Sequence, residues 1–169
     1  MSTLDDILLS RIRKGVVTER LSMREVESVG QELKKLVKKM YGRSFNIREV
    51  DAGSCEACES EIIAANNAIY DVSRFGVNFV ASPRHADALL VTGPVTKNMA
   101  LALKKTYDAM PGPRIVLACG NCAKDGGLFK GSYYVENGVA SIVPVDLYIP
   151  GCPPKPIEIV KALVGLLKK

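Results

Sequence analysis

The residues in this sequence with the clearest capacity for chemistry are its five cysteines. Cys55 and Cys58 form a C-x-x-C pair within the stretch GSCEACESEI. Cys119 and Cys122 form a second pair of the same spacing, and Cys152 lies within IPGCPPKP. In a chain without secretory features, cysteines in such pairs are more often metal ligands or catalytic thiols than disulfide partners.

Three kinds of site are compatible with these cysteines. A zinc ribbon places its two C-x-x-C pairs about 15–20 residues apart, whereas a much longer segment separates Cys58 from Cys119. A thioredoxin-like dithiol accounts only for Cys55 and Cys58, and the acids beside them raise a thiol pKa. An iron–sulfur cluster uses four thiolates, with proline a familiar residue after a ligand, as in Cys152-Pro153. We favour the iron–sulfur site, with zinc and a redox dithiol as alternatives.

The composition is typical of a soluble globular chain of one domain, with 169 residues of which 47% are hydrophobic. The single histidine, His85, excludes a histidine-rich metal site and is expected to be packed or solvent-facing. The net charge is +5, but no basic stripe with interleaved aromatic residues indicates nucleic-acid binding. No apolar run approaches the roughly 20 residues of a membrane span, and the acidic start is unlike a signal peptide. A cytosolic location is therefore predicted.

The first 44 residues differ from the remainder of the chain. Apolar residues recur at helical spacing in LDDILLSRI and in MREVESVGQELKKLVKKMYG, with lysines between them in the second stretch. We predict a helical N-terminal extension over residues 1–44 and an α/β domain over residues 45–169. The extension is expected either to pack on its own domain or to dock on a partner or membrane surface.

From residue 45 onward, predicted strands alternate with predicted helices. Continuous apolar runs such as ADALLVTG are typical of strands in a parallel sheet. The pattern predicts an α/β fold of flavodoxin-like type, with a mainly parallel sheet and helices on both faces. The predicted strands cover residues 45–51, 77–82, 86–93, 114–120 and part of 141–151, and the predicted helices cover 60–76, 96–112 and 154–169.

All five cysteines lie at or just past the carboxyl ends of predicted strands. In an open parallel sheet these ends lie along one edge, where ligands bind. The sequence therefore predicts that loops distant in sequence bring their cysteines into one pocket.

Several motifs, taken together and in order, resemble a known family. They are GSCEACESEI, RFGV, ASPRHADALLVTGPVT, GNCAKDGG and VDLYIPGCPPKP, within residues 45–169. The chain resembles the small single-cluster subunit of group 4 membrane-bound [NiFe] hydrogenases, such as that of formate hydrogenlyase. That subunit is homologous to the complex I subunit that holds the terminal [4Fe-4S] cluster.

The resemblance implies a set of ligands for one [4Fe-4S] cluster. Matching the motifs assigns Cys55, Cys58, Cys122 and Cys152 as ligands and leaves Cys119 as a small buried residue at a strand end. Quinone-reducing relatives have adjacent cysteines at the first position, whereas the hydrogenase branch has C-x-x-C. Glu-Ala stands here between the first two cysteines, where that branch usually has Asn-Gly, and the added charge is expected to lower the cluster's potential.

The resemblance also implies roles for three further residues. Glu61 is expected to face the large subunit and to join a proton path, the alternative being an exposed acid in a first helical turn. Arg84 is expected close to the cluster, the alternative being a surface arginine paired with Asp87. Gly126, with Gly127 beside it, is expected to allow close backbone approach to the cluster.

The function implied by the resemblance is electron transfer within a larger complex. Electrons would pass between a ferredoxin-like subunit and a [NiFe] large subunit that reduces protons to hydrogen reversibly. Integral membrane subunits would hold the chain at the cytoplasmic side of the membrane and couple the reaction to ion translocation. The alternatives are the equivalent subunit of a nickel-free, quinone- or sulfur-reducing complex and, from a different class, a zinc-stabilised binding module.

Overall fold

A computed structural model describes Arg13 and residues 22–168 of the protein. Its centre is a five-stranded sheet in the order β2-β1-β3-β4-β5, and all four strand pairs are parallel. Valine, leucine, isoleucine and alanine dominate the central strands, as expected for strands buried on both faces. The strands are β1 (Phe45–Asp51), β2 (Val77–Phe79), β3 (Ala88–Thr92), β4 (Ile115–Cys119) and β5 (Leu147–Ile149).

Helices cover both faces of the sheet and enclose two hydrophobic clusters. Helices α1, α2 and α5 pack on one face, and α3 and α4 on the other. No helix in the described part of the chain is both long and apolar enough to cross a bilayer. The α-helices are α1 (Met23–Tyr41), α2 (Ala57–Ala65), α3 (Lys97–Asp108), α4 (Asn121–Asp125) and α5 (Pro156–Leu167), and 3₁₀ turns form at Val72–Phe75, Pro83–His85, Gly127–Phe129 and Val139–Ser141.

Helix α1 packs on the α/β domain along its apolar stripe. Val26, Leu33 and Val37 are almost fully buried, and Gly30 lies so close to the ring of Phe75 that a β-carbon there would stand 2.2 Å from it. This is the first of the two arrangements predicted for the extension, while a docking role for it stays a prediction. The stretch LDDILLSRI lies outside the described residues.

The predicted architecture is confirmed, but the helix predicted over residues 60–76 is wrong at both ends. Helix α2 begins at Ala57 and ends at Ala65. The side chain of Asn67 then accepts hydrogen bonds from the backbone N–H groups of Ile69 and Tyr70. A side-chain acceptor of this kind stabilises a turn in place of further helix. Helix α4 forms within residues 121–138, where the sequence predicts neither a strand nor a helix.

Candidate cluster site

The four cysteines assigned as ligands line a single pocket at the carboxyl edge of the sheet. They come from three loops, which follow β1, β4 and β5. A fourth loop, after β3, supplies Gly93 and Pro94 to the wall. The full lining comprises Ser54, Cys55, Ala57, Cys58, Gly93, Pro94, Asn121, Cys122, Phe129, Gly151, Cys152 and Pro153.

The first loop is held in shape by a carboxylate at the end of β1. Asp51 Oδ1 accepts hydrogen bonds from the backbone N–H groups of Gly53 and Ser54, at 2.8 and 2.7 Å. Ser54 Oγ then accepts one from the N–H of Glu56 at 3.0 Å, directly before α2 begins. These bonds place Cys55 in an exposed position and Cys58 half-buried in the first turn of the helix.

Two loops meet where the connections of the sheet diverge, between β1 and β3. Gly93 has φ +80°, and a β-carbon on it would lie 2.7 Å from the backbone nitrogen of Ser54. No side chain fits that contact, so glycine is needed both for the dihedral and for the close approach. Doubly wound sheets bind their ligands at this topological position.

The third cysteine, Cys122, lies in the short helix α4. Its sulfur accepts a hydrogen bond from the N–H of Leu128, and a β-carbon on Gly127 would lie 2.9 Å from that sulfur. The pKa of the Cys122 thiol is raised by burial first and then by the negative charge of Cys152, with smaller contributions from Cys55 and Cys58. Four thiols thus lie within electrostatic range of one another.

Of the two consecutive glycines after α4, Gly127 is the one that lies against a cysteine, whereas the resemblance named Gly126 foremost. Gly126 ends α4 with φ +91°, and a β-carbon on it would meet Lys130 and Asn137 rather than a cysteine. It shapes the loop that carries Leu128 and does not itself line the pocket. The sequence shows two consecutive glycines, and only the tertiary structure distinguishes their roles.

The loops after β4 and β5 are tied together beside the pocket. The N–H of Asn121 donates to the carbonyl oxygen of Gly151 at 2.8 Å, and the N–H of Gly151 donates to Asn121 Oδ1 at 3.1 Å. This reciprocal pair fixes the backbone directly before Cys152 relative to the backbone directly before Cys122.

The fifth cysteine lies behind the pocket rather than in its wall. Cys119 is completely buried at the end of β4, in the hydrophobic cluster against which Cys58 packs. Hydrogen bonding to Cys119 lowers the pKa of Cys58 below its usual value, although Glu59 and Glu61 act in the opposite direction. The neighbouring acids thus raise the pKa of Cys58 as expected, but the interaction with Cys119, of which the sequence gives no sign, outweighs them. The pKa of Cys119 is strongly raised, first by the same bond and then by burial.

Two acids beneath the pocket were not singled out from the sequence. Both carboxyl oxygens of Glu59 are buried and have no hydrogen-bond partner among the described residues. Burial, followed by the charge of Glu59, raises the pKa of Glu49. The alternation of β1 places Glu49 on the same sheet face as Ile47, toward α2. No local pattern in the sequence pairs these two carboxylates, since one lies in a strand and the other in a helix.

The remaining residues singled out from the sequence lie away from the pocket lining. Arg84 and His85 are exposed and border a different cavity, with Arg43 and Asp87, near the amino ends of β1 and β3. The structure thus does not bring Arg84 to the cysteines. Asp87 forms its ion pair with Arg43 at 2.6 Å. Glu61 is half-buried on α2, outside the lining.

The donor set of the pocket fits an iron–sulfur cluster. Four thiols face one space whose other walls include Phe129, Pro94 and Pro153, which offer no competing donors. Among the described residues, no three His, Cys, Asp or Glu side chains converge closely enough to hold one metal ion.

Comparison with known proteins places the chain among oxidoreductase subunits. Residues 55–166 match the family model described as NADH ubiquinone oxidoreductase, 20 Kd subunit. The chain is 47% identical over 131 residues to the probable membrane-bound hydrogenase subunit mbhJ of Pyrococcus furiosus, covering 78% of each. It is also 47% identical over 126 residues to a subunit of the NADH-quinone oxidoreductase of Desulfovibrio desulfuricans, covering 75% of this chain and 68% of that one.

A solved structure agrees with both the sequence matches and the fold. A chain of the membrane-bound sulfane sulfur reductase, an archaeal respiratory membrane complex, superposes with a TM-score of 0.67 at 32% identity. The match covers 81% of this chain and 74% of that chain. These relatives are subunits of multi-subunit complexes, so this chain has partner subunits. The resemblance inferred from the motifs is confirmed, and the chain belongs to the NADH ubiquinone oxidoreductase 20 Kd subunit family as a subunit of an oxidoreductase complex.

Proposed function

We propose that Cys55, Cys58, Cys122 and Cys152 hold one [4Fe-4S] cluster. The observation that carries this proposal is the convergence of four thiols, from loops after three different strands, on one pocket at the carboxyl edge of the sheet. When bound, the cluster supplies reversible transfer of single electrons. The chain's own residues hold the loops that carry the four sulfurs, through the Asp51 hydrogen bonds and the Asn121–Gly151 pair.

The electrons pass between a ferredoxin-like subunit and the [NiFe] large subunit of a membrane-bound hydrogenase complex. This chain has none of the additional cysteine pairs that a nickel site requires, so the catalytic metal belongs to a partner. The C-x-x-C spacing at Cys55 and Cys58 supports the hydrogenase branch over quinone-reducing relatives. Integral membrane subunits anchor the assembly at the cytoplasmic side and couple electron flow to ion movement.

A nickel-free complex is the second candidate, and the similarity of the chain to other kinds of oxidoreductase subunit supports it. Identity to a hydrogenase subunit and to a quinone oxidoreductase subunit is the same, 47%, and the solved relative is part of a sulfane sulfur reductase. In that case the same cluster delivers electrons to a large subunit without nickel.

The experiment that separates the two candidates is metal analysis of the native complex. The chain, tagged in its own cells, is purified without oxygen together with the proteins that accompany it. Iron in this chain and nickel in the large subunit, with hydrogen evolution from a reduced dye, support the hydrogenase. Iron without nickel and without hydrogen supports the nickel-free complex. Zinc in the thiol pocket overturns both and identifies a zinc-stabilised binding module.

A further inference from the structure

The charged side chains of helix α1 are segregated along its length. Its glutamates all precede Leu33, and its lysines all follow it. Every glutamate of the helix forms an ion pair with a cation from outside the helix: Glu25 with Lys161, Glu27 with Arg74 and Glu32 with Lys168. The acidic part of the helix is therefore neutralised within the chain.

The basic part of the helix has no such partners. Lys34, Lys35, Lys38 and Lys39 are exposed, and none of them forms an ion pair with another described residue. We call these four residues the lysine face. Their spacing places like charges one helical turn apart, which destabilises a helix unless an anion lies between them. Attraction to the carboxyl end of the helix accounts for Lys38 and Lys39, which lie in its last turn, but not for the other two.

Two residues of the lysine face also line a cavity. Lys34 and Lys38 border a space of about 220 Å³, large enough for a phosphate group, together with Arg43. The charge of Arg43 is met by Asp87 at 2.6 Å, so the two lysines are the uncompensated charges of the cavity. Its remaining lining contains no acid and comprises Val37, Gly42, Ser44, Phe75 and Gly76. The cavity thus suits an anionic ligand.

The lysine face lies far from the cysteine pocket. Helix α1 ends at Tyr41 and β1 begins at Phe45, so the cavity lies at the amino edge of the sheet. The cysteines lie at the carboxyl edge, beyond the seven residues of β1. At about 3.3 Å per residue, roughly 20 Å separates the two edges. The lysine face is therefore available to bind something other than a redox partner.

The residue type indicates what kind of anion fits. Arginine is preferred where an ion pair between proteins has a fixed geometry, whereas lysine carries a compact charge on a flexible stem. A cluster of four basic residues on an amphipathic helix is typical of binding to anionic lipid headgroups. The apolar stripe of α1, with Leu33 and Val37, is already buried in the domain. The helix therefore meets a membrane through its charges and not by insertion.

We propose that the lysine face lies against the anionic headgroup surface of the membrane, with a lipid phosphate held between Lys34 and Lys38. This inference rests on the proposed function, which places the chain in a complex anchored at the membrane. The contact turns the amino edge of the sheet toward the bilayer and leaves the cysteine pocket for the redox partners. No covalent bond forms or breaks.

The test measures flotation of the full chain, purified without oxygen, with lipid vesicles in a density gradient. One set of vesicles contains phosphatidylcholine alone, and the other contains phosphatidylcholine and phosphatidylglycerol in equal parts. The variant K34Q/K38Q removes two charges from the cavity. The matched control K97Q/K105Q removes two charges from α3, on the opposite face of the sheet, where both lysines are exposed and form no ion pair with a described residue.

The wild type should float with the vesicles that contain phosphatidylglycerol and not with phosphatidylcholine alone, and high salt should release it. A lysine close to an anionic surface contributes about fivefold to binding, so K34Q/K38Q should lower the partition coefficient by about 25-fold. K97Q/K105Q should bind as the wild type does. An equal loss in the two variants would show that only net charge matters, and it overturns the inference.

The iron content of the same preparations separates this inference from the proposed function. An iron-loaded wild type that does not float with the anionic vesicles overturns the inference and leaves the cluster in place. A wild type that floats but binds no iron overturns the cluster alone. If K34Q/K38Q floats like the wild type but loses subunits from the detergent-solubilised native complex, the lysine face binds an acidic partner protein, and the inference is wrong.

Discussion

The sulfur of Cys58 and the α-carbon of Gly120 belong to loops after different strands, yet a β-carbon on Gly120 would lie only 2.7 Å from that sulfur. Gly120 also has φ +89°. The absence of a side chain at Gly120 thus allows Cys58 to approach the end of β4 closely. A glycine is required there because of a cysteine that lies far earlier in the chain.

Gly120→Ala should therefore displace Cys58 and reduce iron bound per chain by at least about half, because the cysteine sulfur would meet the new methyl group below van der Waals contact. Gly131→Ala is the matched control, since Gly131 shares a positive φ of +79° but has open space around it. An alanine is strained at either position because φ is positive, so the comparison isolates the contact with Cys58. Iron and protein are assayed after anaerobic purification. Equal iron in the two variants would contradict the proposed fit.

Glu49 makes the stability of the fold depend on pH in a direction that can be predicted. Its folded-state pKa is raised by burial first and by Glu59 second, so the folded protein holds this proton more tightly than the unfolded chain does. The stability that the tighter proton binding of Glu49 contributes to the fold is fully present below the ordinary glutamate pKa. This stability is lost as the pH rises through the raised pKa of Glu49. We therefore expect Glu49→Gln to raise the thermal midpoint at pH 7.

The same experiment contains its own control. At a pH below the ordinary glutamate value, both the wild type and Glu49→Gln are neutral at this position, and the difference between their midpoints should shrink. A stabilisation that is equal at both pH values would show that the gain comes from packing rather than from removal of the charge.

Gly30 allows helix α1 to approach Phe75. A β-carbon at Gly30 would lie 2.2 Å from the ring, so Gly30→Ala should destabilise the fold by about 1–3 kcal/mol through overpacking. Gly165→Ala in α5 is the control, because that site is exposed with no atom within 4 Å. It should stabilise by about 0.5–1 kcal/mol through helix propensity. The stability of both variants is measured from urea unfolding midpoints, provided that the m values are unchanged. A Gly30→Ala variant as stable as the wild type would contradict the described packing of α1 against Phe75.

Glu61 lies half-buried on α2, three residues after Cys58 and outside the pocket wall. If it carries protons toward the large subunit, Glu61→Gln should lower hydrogen evolution by the native complex by about 100-fold, the lower end for a lost proton-transfer group. Iron content and the EPR spectrum should stay unchanged, because Glu61 is not a ligand. Glu32→Gln, a substitution on the exposed face of α1, is the control for assembly. Full activity in Glu61→Gln would exclude the proton role.

Much of the fold could be predicted because the local patterns agree with the tertiary structure. The continuous apolar run of β3 and the amphipathic stripe of α1 predict a buried strand and a packed helix, and both form. The end of α2 could not be predicted from periodicity, because a side-chain acceptor on Asn67 competes with the helix. The placement of four cysteines at one sheet edge followed from strand direction alone.

What the sequence could not provide are contacts between segments far apart in the chain. The bond between Cys119 and Cys58, the seat of Gly93 on Ser54 and the burial of Glu59 all depend on how loops from different strands meet. Arg84 shows that a motif can identify the family without giving the position of its residues. Its motif supported the family assignment, yet the connection between β2 and β3 carries it to a different cavity.

The measurement that tests the central claim most directly is the iron content and EPR spectrum of the anaerobically purified chain, before and after reduction with dithionite. The account predicts about four irons per chain and a signal that develops on reduction. It also predicts loss of both in Cys122→Ser, with retention in Cys119→Ser. A colourless protein with zinc in place of iron, or equal iron in the two variants, would contradict it.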